Sequence, residues 1–392
     1  MGQADRDPPA LKLDSEAPVS MGRLLAIFLK IGSIGFGGGM AVIALMEQEF
    51  VRKRRLISLD EFVHGVGLGQ VLGSFAVNVA IFIGYRLFGV AGALLSAGAF
   101  LAPSIALVII LSDLYFRYHA VPALQGAVAG IAPVVIALIL DAGWSIGRKV
   151  PRAWPAMSIA AGALAAGVVQ WNPAWVLVTA GAAGFLLPVK SAAPITPHQP
   201  GKGAGGGAVN LMPFALLAAG PMSKLITTFF KIGLVFFGGG FVLVPVLHNR
   251  LVTQLGWLKP QEFLDGVAIS NLTPGPIAVL ATFAGFHLAG TIGALAATAA
   301  LFAPGMMLML AISRQYGRFR DDSRAQRFLA GVNPAVAGLI LSAALVLGRS
   351  ALVSWHGYAL LALSFCLLAG LRWHPAFILA IGAAMGYFGL LP

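Results

Sequence analysis

Displaced by 201 positions, the chain aligns with itself: residues 28–148 fall on residues 229–349 without a gap, and about a third of the aligned positions are identical. "FLKIGSIGFGGG" at 28 returns as "FFKIGLVFFGGG" at 229, and "EFVHGV" at 61 as "EFLDGV" at 262. "GALLSAGAFLAPS" at 92 returns as "GALAATAALFAPG" at 293, and "AGIAP" at 129 as "AGVNP" at 330. After a slip of one residue, "WNPAW" at 171 matches "WHPAF" at 373. Whatever this chain folds into is therefore built twice. The first repeat covers 21–188 and the second 214–392, joined by a Pro/Gly-rich linker at 189–213. Residues 1–20 are polar and carry prolines, without the basic start and apolar core of a cleaved signal, and read as a disordered tail.

The solvent of that duplicated unit is lipid. With 58% hydrophobic and 10% charged residues and a mean hydropathy of +0.87, the 392 residues have too little polar surface to cover a soluble globule. Apolar stretches of membrane-spanning length recur, as at 87–111 and 124–146, and alternating strands of a barrel are absent. The fold class is an all-α polytopic membrane protein of two homologous repeats, each with about six hydrophobic segments. In the first repeat these are 21–51, 62–85, 87–111, 124–147, 154–170 and 174–188. The second segment stands apart, because its counterpart contains "SNLTPGPIAVL", where two prolines around a glycine remove donors and fix φ. It reads as two half-helices meeting at a break and re-entering the membrane. About 10 crossings are then expected in all, besides the broken segments.

Charge sits in the loops and changes place between the repeats. After segment one, the first repeat has "RKRR" at 52–55 and the second "TQLG" at 253–256. After segment three the bias reverses: Arg117 alone stands against Arg314, Arg318, Arg320, Arg324 and Arg327. Under the positive-inside rule this exchange predicts inverted repeats, as does an odd number of crossings per repeat if only segment two re-enters. The formal charge of +12 is thus a topology signal, and no nucleic-acid partner is expected. A single cysteine, Cys366, excludes an internal disulfide and offers no metal cluster. The only "GK", at 201, lacks the rest of a phosphate-binding loop, and no catalytic constellation occurs, so neither an enzyme nor a cofactor or metal site is expected.

Two features repeat at one place without helping a simple membrane anchor. Gly37, Gly38 and Gly39 return as Gly238, Gly239 and Gly240, and Lys30 returns as Lys231 two turns earlier. Small residues let helices approach closely, and a lysine can snorkel, which is the bland explanation. Yet a lysine in mid-segment costs about 2.5 to 3.5 kcal/mol on insertion scales, and a glycine break frees N–H groups and exposes the positive end of a half-helix. Together they suit an anion. The breaks in segment two add Asn271, Thr273, Pro274, Gly275 and Pro276, matched in the first repeat by Gln70, Leu72, Gly73, Ser74 and Phe75. Asp141 and the equivalent positions His64 and Asp265 read first as groups hydrated at helix ends, with proton carriage as the alternative, and Arg86 and His287 align near the exit of segment two, where they either flank an anion path or mark the interface.

The paired "FxKIGxxxFGGG" motifs, the "PGP" in the second repeat, the two-repeat length and "GAxxAxxxFxAP" resemble the chromate ion transporter family in its long bacterial form. The resemblance covers nearly the whole chain apart from tail and linker, and the first repeat departs from it in having "GQVLGSF" for "SNLTPGP". It implies export of chromate, with sulfate as the similar oxyanion, across the bacterial plasma (inner) membrane, driven by the membrane potential or a proton gradient. The substrate-binding residues would be the two lysines and two glycine triplets named above, with Gln70 and Ser74 of the first repeat and Asn271, Thr273, Pro274, Gly275 and Pro276 of the second. "TPGP" also resembles the lysine exporter superfamily, so an exporter of amino acids or small metabolites stands as the alternative, with a channel or membrane scaffold as a third reading.

Overall fold

A computed structural model describes residues 19–35, 39–71, 74–118, 122–148, 153–185, 221–235, 243–314, 323–352, 354–371 and 373–388. The tail and linker inferred from the sequence fall outside them, apart from Val19 and Ser20. Every regular element among the described residues is helical, as an all-α membrane protein requires.

Segment one opens with α1, Met21–Ile34, whose first turn is capped by the Ser20 hydroxyl accepting from Arg23 N at 3.3 Å. After the glycine break comes α2, Gly39–Met46, which runs into a π-helical stretch, Glu47–Lys53. A straight helix would part residues 28 and 50 by about 33 Å. Instead the Phe28 and Phe50 rings lie 4.9 Å apart and Lys30 Nζ is 3.7 Å from Glu49. Segment one thus turns back on itself at the glycines, as a hairpin of half-helices and not the single crossing its length suggests. In the second repeat α8, Pro221–Leu234, and α9, Leu243–Leu247, with its π stretch His248–Gln254, repeat the pattern. There Lys224 Nζ reaches across to the Trp257 ring, 5.9 Å from its centroid.

Segment two is a second hairpin. Its arms are α3, Leu59–Val71, and the first part of α4, Phe75–Tyr118. Glu61 pairs with Arg86, Gly65 lies under Phe82, and Gly69 lies under Phe75 and Val79, so rising numbers on one arm meet falling numbers on the other. The arms are antiparallel and re-enter. Segment three then leaves at a sharp corner inside α4, where Gly89 takes φ +65° and Gly84 meets Gly92 backbone to backbone. The second repeat copies this with α10, Pro260–Leu272, a short 3-10 turn Ile277–Val279, and α11, Leu280–Arg314. Its corner is Gly290, at φ +60°, with Gly285 against Gly293.

Among the described residues, four helical stretches are long and apolar enough to cross a bilayer: Phe75–Tyr118, Ala129–Gly147, Ile277–Ser313 and Ala330–Arg349. The second lies in α5, Pro122–Gly147, and the fourth in α12, Ser323–Ala351. The short apolar helices of the first repeat are α6, Trp154–Val168, and α7, Pro173–Gly184; those of the second are α13, Trp355–Ala369, and α14, Pro375–Tyr387. They cross over to the other repeat. Gly338 and Gly331 of α12 press on Ala160 of α6 and Ala180 and Gly184 of α7, while Gly126 and Gly130 of α5 press on Gly382 and Gly386 of α14. Backbones touch at these small residues, spaced four apart on α5, α7 and α14 and seven apart on α12. The repeats are interlocked, each completing the other's core.

The contacts also show the inversion. The first repeat's hairpin two opens beside the start of segment three, at Glu61 and Arg86. The second repeat's hairpin two meets the far end of that same segment: Tyr115 Oη donates to Asp265 at 2.6 Å, and Phe116 lies 5.2 Å from Phe283 and 4.7 Å from His287. The two hairpins therefore enter from opposite sides. Since segment one turns back, this geometry carries the inversion, and an odd number of crossings does not.

Candidate functional site

The tips of the hairpins meet halfway through the protein. Gly275 N donates to Gly35 O at 3.1 Å, which joins the second repeat's segment-two break to the first repeat's segment-one break. Ser104, midway between the corner at Gly89 and the end of α4 at Tyr118, donates its hydroxyl to Pro274 O. Gly39 in turn lies against the Phe75 ring, so the two breaks of the first repeat also touch.

What these tips have in common is a helix beginning. α4 starts at Phe75 and the 3-10 turn leading into α11 at Ile277, while α2 and α9 are described from Gly39 and Leu243 onward. The first N–H groups of a helix have no intrahelical partner, and its dipole places about half a positive charge there. Half-helices that begin near the same depth, from opposite sides, therefore turn donors and positive ends toward the middle of the membrane. An anion can be held there without a fixed negative partner.

The residues at the breaks follow from their local chemistry. Thr273 and Pro276 are extended, with ψ 145° and 140°, because the prolines forbid continued helix. Between them Gly275 adopts φ +118°, a conformation an L side chain rarely takes, and any Cβ there would strike Ser104. Thr273 is buried and donates to Ser270 O at 3.0 Å; Asn271 Nδ2 donates to Val267 O at 2.8 Å. Ser74 is buried at the start of α4, and its hydroxyl has no hydrogen-bond partner among the described residues. An unsatisfied donor in such a place suits a polar ligand.

The lysines stand elsewhere. Lys30 is 63% exposed at its side chain and is held 3.7 Å from Glu49, which also binds Lys53 at 3.2 Å and Arg54 at 3.3 Å. Lys231 is exposed, and where Glu49 would face it the second repeat has Arg250; Lys231 has no ion pair among the described residues. Gln70 lies in the last turn of α3. Gly37, Gly38, Gly238, Gly239 and Gly240 lie outside the described residues. Arg86 is engaged by Glu61, and His287 packs on Phe116.

Three residues of this region escape a reading of the repeats. Gly35 faces Phe236 in the alignment and Ser104 faces Gly305, so a search for repeated residues passes over both. Tyr115 does return, as Tyr316, but lies in an apolar run that hides its hydroxyl's role. Among the described residues no three His, Cys, Asp or Glu side chains gather where a metal could be held.

The sequence profile described as "Chromate transporter" matches residues 22–185 and again 223–387, one match per repeat. A "Probable chromate transport protein" of Synechococcus elongatus is 31% identical over 341 residues, covering 85% of this chain and 86% of that one. The "Chromate transport protein" of Pseudomonas aeruginosa is 32% identical over 82% of this chain and 80% of its own length. That of Cupriavidus metallidurans is 29% identical over 84% and 83%. No solved structure matches the chain. With both repeats matched and relatives of equal extent, the chain belongs to the chromate transporter family, whose members are multi-pass membrane transporters and not enzymes.

Proposed function

We propose that the protein is a secondary transporter that exports chromate, and oxyanions of sulfate type, from the cytoplasm across the bacterial plasma membrane and so confers chromate resistance. The observation that carries the reading is the meeting of the breaks, with half-helices beginning at Phe75 and Ile277 and Gly35, Gly39, Ser74, Thr273 and Gly275 beside them. A tetrahedral dianion needs several N–H and O–H donors from different directions, and breaks approached from both sides of the membrane supply them. Gly37 and Gly38 beside Gly39, and the equivalent Gly238, Gly239 and Gly240, belong to the same site in this reading. Lys30 and Lys231, two turns before the triplets, supply positive field in this reading.

Direction follows from charge. "RKRR" at 52–55 lies on the side where the first repeat's hairpins open, and the positive-inside rule places that side in the cytoplasm. A potential negative inside favours expelling a dianion by about 2.3 kcal/mol per charge per 100 mV. Everted vesicles containing the protein are expected to accumulate labelled chromate, saturably and with competition by sulfate. Vesicles no better than empty controls, yet active with a basic amino acid, would transfer the reading to an amino-acid exporter; flux without saturation would indicate a channel.

A further inference from the structure

Asp265 is the carboxylate for which the anion site has no use. It stands on α10, five residues in from Pro260 and eight before Thr273, and is 3% exposed. Its two oxygens accept from Tyr115 Oη at 2.6 Å and Gln261 Nε2 at 3.0 Å, both neutral donors. Among the described residues no cation forms an ion pair with it. On its own helix Glu262, the nearest acid, is occupied in capping Lys259 N at 2.8 Å. From the elements packed against α10, His248 lies edge-on to Phe263 and His287 lies on Phe116, while Asp113 and Arg117 pair with each other at 2.8 Å. Arg349 on α12 makes no ion pair with it among the described residues, and Asp141 on α5 is an acid and offers no counter-charge. A buried charge inside a membrane without a counter-charge is relieved most simply by a proton.

Its place gives that proton a use. Asp265 belongs to the second repeat and Tyr115 to segment three of the first, the segment whose Ser104 holds Pro274 at the hairpin tip. One face of segment three thus grips the same hairpin twice, once at its mouth and once at its tip. The mouth opens on the side opposite "RKRR", which is the outer side in the orientation above. The equivalent position in the first repeat is His64, so the acid enters from one side only.

We propose that Asp265 is a proton-binding site that couples oxyanion export to proton entry from the outer side, with Tyr115 as the residue that positions it. The inference rests on the export reading above. A proton adds to the carboxylate to give the neutral acid, and no other bond is made or broken. As a carboxylate, Asp265 is a strong acceptor for Tyr115 and holds the hairpin against segment three; as an acid it is a weak one, and the hairpin is released to move its tip.

The test uses the full chain in proteoliposomes. Wild type is expected to show both counterflow of labelled chromate and accumulation driven by an imposed pH gradient. Asp265→Asn, which resembles the protonated state, is expected to keep counterflow and lose the gradient-driven accumulation, and Asp265→Glu to restore it. Tyr115→Phe is expected to shift the pH dependence of uptake without abolishing counterflow. A second readout needs no substrate: in infrared difference spectra of purified protein, a carboxylic-acid carbonyl band that titrates with pH is expected in wild type and absent from Asp265→Asn. Gradient-driven accumulation by Asp265→Asn equal to wild type, or a titrating band that survives the substitution, would overturn the proposal. Absence of chromate counterflow from wild type would overturn the export reading instead, while the infrared band still decides whether Asp265 binds the proton.

Discussion

Gly275 shows how narrow the chemistry of a broken helix is. Its φ of +118° excludes a side chain by backbone energy, and Ser104 excludes one by contact. Strained backbone of this kind costs of order 1 to 3 kcal/mol per residue, which a folded protein tolerates but the Gly275 N–H bond to Gly35 O that joins the two tips does not. Gly275→Ala is therefore expected to reach the membrane at near-normal abundance and to lose most chromate uptake in everted vesicles. Adding Ser104→Ala removes the contact but not the strain, so the double variant should recover part of the flux and no more. Full recovery would mean that space alone matters at this position, and normal flux in Gly275→Ala would remove the tip from the site. The "PGP" that marks this residue was legible because proline and glycine dictate backbone conformation locally. Ser104, which closes the other side of the same contact, was not, since its role depends on a partner 170 residues away.

At the scale of elements the same glycine-rich vocabulary serves two purposes, and this set the limit of what could be read. The break in segment two and its re-entry follow from prolines that no helix accepts. The fold-back of segment one rests on glycines, which break one helix and pack another equally well, so its 31 residues, 21–51, read as one crossing when they are two arms. The packing role is cleanest in α5 and α14. A Cβ on Gly130 would meet the backbones of Gly382 and Gly386, atoms that cannot swing aside, whereas one on Gly98 meets nothing within 4 Å. Overpacking typically costs 1 to 3 kcal/mol and here forces apart the helices that interlock the repeats. Gly130→Leu is accordingly expected to lower the amount of monodisperse protein recovered in detergent, with Gly98→Leu indistinguishable from wild type. Equal yields would show that α14 is held to α5 by other contacts.

For the whole molecule, the loop charges foretold the inversion while giving no hint of the interlock. Lys and Arg report the side of the membrane a loop occupies; an apolar pattern reports that a helix is buried, and not which helix buries it. Thus α6 and α7 looked like the end of the first repeat, although they cover α12 of the second. The inversion itself joins the hairpins to one centre: if both repeats entered from one side, their tips could not approach Ser104 from either end of segment three. Arg52 and Thr253 are equivalent positions at the open ends of hairpin one, both exposed, and so report the orientation directly. After replacement of the exposed Cys366, Arg52→Cys and Thr253→Cys are expected to react with a membrane-impermeant thiol reagent from opposite sides, Thr253→Cys in intact cells and Arg52→Cys only in everted vesicles. Reaction of both from one side would make the repeats parallel. It would then also separate the half-helix beginnings into two unrelated sites, because Gly275 could no longer reach Gly35 from the opposite face.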